Sequence, residues 1–138
     1  MDQPQSPTKV YLVDDSIPVR ERVAQMLRER AIDVVGQAGA PQAAIDGILA
    51  TQPDVVVLDI QLQGGTGLEV LRAVRLAAPQ IAFVVLSNNS GPAYRKIYRI
   101  EGAQRFLDKN AEFDQLAQTV LQLAQQRPNE DPRPSFRR

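Results

Sequence analysis

The chain contains no cysteine and no histidine, and these two absences restrict the chemistry it can perform. Without cysteine there is no disulfide, no thiolate nucleophile and no cysteine-bound zinc, and nothing ties the chain to an oxidising compartment. Without histidine there is no Ser-His-Asp relay, no imidazole metal ligand and no side chain whose ordinary pKa lies near neutrality. Any chemistry must therefore use carboxylates, lysine, hydroxyls, backbone amides or a hard metal ion bound through oxygen.

An excess of charge of one sign is also absent, because 16 Lys and Arg balance 16 Asp and Glu. A neutral chain has no global field to attract nucleic acid or an anionic membrane, so we expect neither as a partner. The longest wholly apolar run, residues 81–86, is far shorter than the roughly 20 residues that span a bilayer. The polar N-terminus shows no secretory apolar region, and the sequence predicts a soluble, cytoplasmic protein.

Length and composition are those of one ordinary globular domain, with 138 residues, 43% hydrophobic and 23% charged. A chain of this size buries roughly 70% of its unfolded surface, which allows a core without disulfides or metals. We predict an N-terminal tail over residues 1–8, the domain over 9–126 and a disordered C-terminal tail over 127–138. That last segment is too short for an output domain, since even about 40 residues usually need additional cross-links.

Short apolar runs of strand type alternate with amphipathic segments of helix type. The predicted strands are 10–13, 32–36, 54–58, 81–86 and 104–107, and the predicted helices are 18–30, 41–51, 68–77, 92–101 and 112–126. Five such units predict a parallel sheet with helices on both faces, joined by right-handed crossovers. The expected fold is a doubly wound α/β sheet of order 2-1-3-4-5, the flavodoxin-like (βα)5 arrangement.

Polar side chains follow four of the five predicted strands, at the edge where open α/β sheets bind their ligands. They are Asp14 and Asp15 after the first strand, Asp59 after the third, Ser87 after the fourth, and Asp108 and Lys109 after the fifth. Each alone has a simpler interpretation as a helix cap, a turn residue or a solvated side chain. Their shared position predicts that three carboxylates, a hydroxyl and an ammonium converge on one crevice.

Three carboxylates at close range repel one another unless one takes up a proton or a cation lies among them. In a chain without His or Cys that cation should be hard, and Mg²⁺ fits best because it binds carboxylates and keeps positions for water and phosphate oxygens. The Lys109 ammonium then suits a phosphoryl group, with Asp59 as its nucleophile. An ordinary aspartate is already ionised at neutral pH and needs no general base.

These motifs closely resemble the receiver domain of bacterial two-component response regulators. The resemblance runs from about residue 9 to residue 124. It rests on VYLVDDS (10–16), on PDVVVLDI and GGTGLEVL within 53–71, on VVLS (84–87) and on GAQRFLDK (102–109).

The resemblance implies a role for each residue at the strand ends. Mg²⁺ would be held by Asp14, Asp15, Asp59 and the backbone carbonyl of Gln61. Asp59 would accept phosphate from a phosphohistidine on a sensor histidine kinase or a histidine phosphotransfer protein. Ser87 would hydrogen-bond the phosphoryl group, and Lys109 would pair with it.

The resemblance also identifies Phe106, three residues before the lysine, as the switch aromatic. When Ser87 is drawn to the phosphate, the ring turns inward and the face formed by helix four, strand five and helix five changes. A core position for Phe106 in a buried strand is compatible with this role.

The sequence departs from the family in the loop after Lys109. Asn110 stands where the family usually has a proline after a cis peptide bond. A cis Lys109–Asn110 bond would cost about 3 kcal/mol more than trans, so either strain is held there or the loop differs.

Three functions remain open at this point. The first is a stand-alone phosphorylatable receiver, which acts on no substrate beyond assisting its own phosphorylation and dephosphorylation. The second is a phosphorylation-independent adaptor that binds a partner protein. The third, an aspartate-nucleophile phosphohydrolase, is disfavoured because such enzymes usually carry Asp-x-Asp after strand one.

The fourth helix carries three basic residues, Arg95, Lys96 and Arg99. They indicate a solvated face or a protein contact rather than a nucleic-acid site. We expect a monomer or weak dimer.

Overall fold

Five parallel strands form one sheet in the computed structural model, which describes residues 6–126. The strands are β1 (Lys9–Val13), β2 (Asp33–Ala38), β3 (Val55–Leu58), β4 (Ala82–Ser87) and β5 (Arg105–Asp108). Their order across the sheet is β2-β1-β3-β4-β5, which confirms the predicted doubly wound topology. The predicted tail 127–138 and the first five residues of the predicted tail 1–8 lie outside the described residues.

Helices connect the strands, at positions within a few residues of those predicted. They are α1 (Ile17–Glu29), α2 (Pro41–Thr51), α3 (Gly67–Ala77), α4 (Pro92–Ile100) and α5 (Leu116–Gln125). Proline lies in the first turn of three of them, where its missing N–H leaves no intrahelical bond unmade. Among the residues described, no helix is long and apolar enough to cross a membrane.

Two segments differ from the sequence predictions. The predicted turn at 64–67 belongs to a short antiparallel hairpin, in which Gln61–Leu62 pairs with Gly65–Thr66. The last predicted helix begins instead with a 3₁₀ turn, Phe113–Gln115, before α5. Both differences lie on connections that follow strand ends. In the first the Gln63 N–H donates to the Gly39 carbonyl of a neighbouring loop, and in the second the Glu112 N–H donates to the Asp108 carbonyl and closes a turn before the helix.

Alternate residues of each central strand enter two separate cores. Val10 and Leu12 of β1 pack on the side of α1 and α5, whereas Tyr11 and Val13 pack on the side of α2, α3 and α4. The same alternation holds for β3 and β4, so the central strands are apolar on both faces. Polar side chains are thereby restricted to the strand ends.

Tyr11 joins β1 to the edge strand and to α2. The pairing of β1 with β2 shifts by one residue after Val10, so that Gly36 rather than Val35 lies opposite Tyr11. A Cβ at Gly36 would lie 2.9 Å from Cδ2 of the Tyr11 ring, and a Cβ at Gly47 in α2 would lie 2.6 Å from its Cζ. Tyr11 is 5% exposed, and its ring fills a slot that two glycines leave open.

Gly47→Ala is expected to destabilise the fold, because the new methyl group overlaps the hydroxyl end of the Tyr11 ring, which Gly36 also contacts closely. Overpacking of this kind costs about 1–3 kcal/mol, against a helix-propensity gain of about 1 kcal/mol for Ala. Urea unfolding measures the difference in the free energy of unfolding. In a Tyr11→Leu variant, whose side chain is smaller, Gly47→Ala should no longer destabilise the fold. Gly91→Ala is the control, since a Cβ there meets nothing within 4 Å. A Gly47→Ala variant as stable as the wild type would show that the slot is not tight.

Candidate functional site

The sheet register places the predicted polar residues side by side. Val13 of β1 pairs with Leu58 of β3, so the residues that follow them, Asp14 and Asp59, emerge at neighbouring strand ends. Asp14, Asp15 and Asp59 each offer a carboxylate oxygen, and these oxygens lie within 4.8 Å of one another. The predicted convergence of three carboxylates is therefore present.

Lys109 supplies the positive charge of this cluster. Its Nζ donates to Oδ2 of Asp14 at 2.9 Å and lies 3.4 Å from Oδ2 of Asp59. Its backbone N–H donates to the carbonyl oxygen of Ser87, which ties the loop after β5 to the end of β4. The ammonium therefore bridges two carboxylates that come from different strands.

The cluster is largely withdrawn from water. Asp59 is 8% exposed, Asp14 6% and Ser87 1%, and these are three of the four buried polar residues in the part of the chain described. Burial raises the pKa of Asp59, the charge of Asp14 adds to this, and Lys109, the Ile60 N–H and the Ser87 hydroxyl oppose it. Burial alone would lower the pKa of Lys109, but its hydrogen bond to Asp14 and the charge of Asp59 raise it.

Ser16, rather than Asp15, caps the helix that follows the acidic pair. The Ser16 hydroxyl accepts from the Val19 N–H at 3.4 Å, and the Ser16 N–H donates to Oδ1 of Asp14 at 2.9 Å. Asp15 is exposed and is left available at the mouth of the cluster. The helix-cap interpretation thus applies to Ser16.

The hairpin after β3 holds the backbone of Asp59. Asp59 Oδ1 accepts the Ile60 N–H at 2.7 Å, and the Gly67 N–H donates to the Ile60 carbonyl at 2.7 Å. A Cβ at Gly67 would overlap the carbonyl oxygen of Asp59, so only glycine allows this closure. Gln61 begins the hairpin and is exposed, and its carbonyl as a metal ligand stays a prediction.

Ser87 and Phe106 lie where the sequence places them. The Ser87 Oγ accepts the Asn89 N–H at 3.1 Å, so the residue also shapes the turn after β4. The half-buried Phe106 ring meets Tyr98 of α4 edge to face, with centroids 6.2 Å apart, and the Arg95 guanidinium lies 5.0 Å from its centroid. The switch role of Phe106 stays a prediction.

The loop after β5 contains no cis peptide bond, as is true of all the residues described. The Lys109–Asn110 bond is therefore trans, and of the two alternatives left open by the sequence the second, a different loop, is present. Asp108 shapes it: Oδ1 accepts the N–H groups of Asn110 and Ala111, each at 2.8 Å.

Arg20 is a site residue that sequence reasoning missed, since the periodicity of α1 places it on the outward face. Its Nη1 donates to the backbone carbonyl of Asp14 at 2.6 Å and its Nε to Oε1 of Gln37 at 3.3 Å. The available signal was its position one turn after the Ser16 cap, because helix side chains point back towards the N-terminus. Arg20 holds the acidic loop to the end of β2.

Comparisons with known proteins agree with this geometry. The profile of the response regulator receiver domain matches residues 10–121. The DNA-binding transcriptional activator DevR/DosR of Mycobacterium tuberculosis is 32% identical over 113 residues, 81% of this chain and 52% of that protein. Protein-glutamate methylesterase/protein-glutamine glutaminase 5 of Anaeromyxobacter dehalogenans is 40% identical over 83 residues, 59% of this chain and 23% of that protein. The signal receiver domain of NarL from Mycobacterium tuberculosis superposes with a TM-score of 0.81 at 30% identity, covering 89% of this chain and 100% of that one. The chain thus spans about half the length, or less, of these curated relatives.

Arg20→Met is expected to lower the free energy of unfolding by about 1–3 kcal/mol, because the Asp14 carbonyl loses a charge-assisted hydrogen bond. Urea titration measures the loss, and the amide resonances of Asp15 and Ser16 should shift in the NMR spectrum. Arg28→Met, at an exposed position in the last turn of the same helix, is the control. If both variants behave alike, Arg20 does not hold the loop.

Asp59→Asn is expected to stabilise the fold at neutral pH in buffer without divalent cations. The folded state raises the pKa of Asp59 above its ordinary 3.8, so the ionised carboxylate destabilises the fold. That penalty is present above the folded-state pKa and disappears as the pH falls below 3.8.

Urea titrations across this pH range should therefore show a gain in stability that shrinks on acidification. Asp33→Asn, at an exposed carboxylate at the opposite end of the sheet, should show no such gain. If Asp59→Asn gains no stability at neutral pH, or if its gain grows on acidification, the ionised Asp59 carboxylate does not destabilise the fold.

Proposed function

The chain belongs to the response regulator receiver domain family, and on that premise we propose that it is a phosphoacceptor of two-component signalling whose acceptor is Asp59. The observation that carries the proposal is the environment of this carboxylate. Asp59 is buried beside Asp14 at the end of β3 and lies 3.4 Å from the Lys109 ammonium. A structural aspartate would gain nothing from a buried neighbour of like charge.

The residues of the cluster fit a hard divalent cation. All their ligand atoms are oxygens, and three carboxylates face one ammonium, which leaves excess negative charge at a buried position. Asp14, Asp15 and Asp59 would hold Mg²⁺, with the backbone carbonyl of Gln61 as a further oxygen ligand. When bound, the ion supplies neutralisation of the phosphoryl charge.

The chain's own residues would carry the transfer. An Asp59 carboxylate oxygen forms a bond to phosphorus while the bond from phosphorus to the donor's imidazole nitrogen breaks, and the imidazole leaves. Lys109, already 3.4 Å from the acceptor oxygen, pairs with the transferred phosphoryl oxygens, and the Ser87 hydroxyl donates to them. Because the chain has no histidine, the phosphohistidine belongs to a partner, a sensor histidine kinase or a histidine phosphotransfer protein.

The output of this reaction would be a changed protein-binding face. Ser87 pairs with Asp108 in the sheet register, and Val85 pairs with Phe106, so a movement at the phosphoryl group reaches the α4–β5 side within one strand. The two relatives described above carry different activities in their names, so neither of them identifies the downstream protein of this chain. That the domain acts alone stays a prediction of the sequence.

Acetyl phosphate or a beryllofluoride mimic should act on the protein only in the presence of Mg²⁺, and only through Asp59. Intact-mass measurement should show one added phosphoryl group on the wild type with acetyl phosphate and Mg²⁺. The adduct should be absent when Mg²⁺ is chelated and absent from Asp59→Ala.

Asp33→Ala, at an exposed carboxylate remote from the cluster, should take up phosphate like the wild type and serves as the matched control. An adduct that persists on Asp59→Ala places the acceptor elsewhere. A wild type that takes no phosphate from acetyl phosphate or a cognate kinase supports the phosphorylation-independent adaptor instead.

A further inference from the structure

Two carboxylates build the turn that carries Lys109. Asp108 Oδ1 accepts the N–H groups of Asn110 and Ala111, and Asp108 Oδ2 accepts the Ser90 hydroxyl. Glu112 Oε1 accepts the Asp108 N–H at 2.7 Å, while the Glu112 N–H donates to the Asp108 carbonyl at 2.9 Å. Hydrogen bonds to these two side chains thus fix the backbone on both sides of Lys109. Where Asn110 is replaced by proline, as is usual in the family, the proline ring restricts the backbone instead.

Arg95 connects this turn to its neighbours. Its Nη2 donates to Glu112 Oε1 at 3.1 Å, its Nη1 to the Phe106 carbonyl at 3.0 Å and its Nε to the Ser90 carbonyl at 2.9 Å. One planar guanidinium therefore links α4, β5, the loop after β4 and the turn after β5. Lysine, with a single point charge on a flexible stem, does not offer this fork of donors.

The ion pair itself is not a strong source of stability. The Arg95 and Glu112 side chains are 36% and 30% exposed, and a pair at such positions contributes little in water. Four hydrogen bonds of the same two residues instead converge on backbone groups that flank Lys109 and Phe106. The arrangement favours a geometric role over a stabilising one.

We propose that Arg95 and Glu112 are positioning residues that hold the Lys109 ammonium against Asp59 through the turn 108–112. The proposal rests on the phosphoacceptor function proposed above and adds a dependence on residues outside the acidic cluster. Lys109 reaches Asp59 from a backbone held by the Ser87 carbonyl on one side and by this network on the other. A shift of the turn moves the ammonium away from the acceptor oxygen.

Glu112→Ala and Arg95→Met should slow phosphorylation of Asp59 by acetyl phosphate and Mg²⁺ by roughly five- to a hundredfold, the range for a misplaced reacting group. Glu112→Gln keeps an acceptor oxygen for both N–H donors and should retain the wild-type rate within about twofold. Initial rates come from intact mass, with circular dichroism to confirm that each variant is folded.

Glu101→Ala is the matched control. It breaks the Arg72–Glu101 pair, which has the same 3.1 Å separation and lies at the other end of α4, away from Lys109. This variant should phosphorylate like the wild type. Folded Glu112→Ala and Arg95→Met variants with wild-type rates overturn the positioning role, as does an equal loss in Glu101→Ala.

Hydrogen exchange and the lysine ammonium resonance separate this inference from the proposed function. In Glu112→Ala the amides of Asn110 and Ala111 should exchange faster and the Lys109 ammonium resonance should shift, with neither change in Glu101→Ala. These measurements need no phosphorylation. If the wild type takes no phosphate, the proposed function fails. Independently of that result, an unchanged Lys109 resonance in Glu112→Ala overturns the positioning role.

Discussion

The structure depends on one interaction, the pairing of the Lys109 ammonium with two buried carboxylates from different strands. Asp14 and Asp59 are separated from Lys109 by 95 and 50 residues, so the pairing exists only when the whole sheet is assembled. Two carboxylates with so little exposure would repel each other without a cation between them. The sheet supplies the positions, and the lysine makes these positions tolerable in the absence of a metal ion.

The fold and the composition of the site were predictable from the sequence because burial on both faces leaves a simple signature. Continuous apolar runs in β3 and β4 indicate covered strands, and their polar ends then have to meet at one edge. The strand order and the convergence of Asp14, Asp15 and Asp59 followed from these two facts, and both are present.

Arg20 and Arg95 were not predicted as part of the site, and the reason is geometric. Helical periodicity tells which face a Cα occupies, but a long side chain reaches several ångströms from that face and back towards the helix N-terminus. Arg20 thereby reaches the Asp14 carbonyl, and Arg95 reaches the carbonyls of Ser90 and Phe106. The turn that follows Lys109 likewise depends on Asp108 and Glu112, whose carboxylates accept backbone N–H groups of the turn and also bind Ser90 and Arg95 from other segments.

Arg20 and Arg95 belong to one chain of hydrogen bonds that connects the acidic cluster to the face formed by α4 and β5. Arg20 holds the carbonyl of Asp14, and the carboxylate of Asp14 holds Lys109. On the other side of the lysine, Glu112 holds Arg95, whose guanidinium also lies over the Phe106 ring. On the proposed function, a phosphoryl group that drew Lys109 and Ser87 towards Asp59 would pull on backbone groups that are already bonded to α4 and β5. Because each link is a hydrogen bond to the backbone or a charged pair, a displacement at Asp59 would be passed towards the α4–β5 face through these contacts.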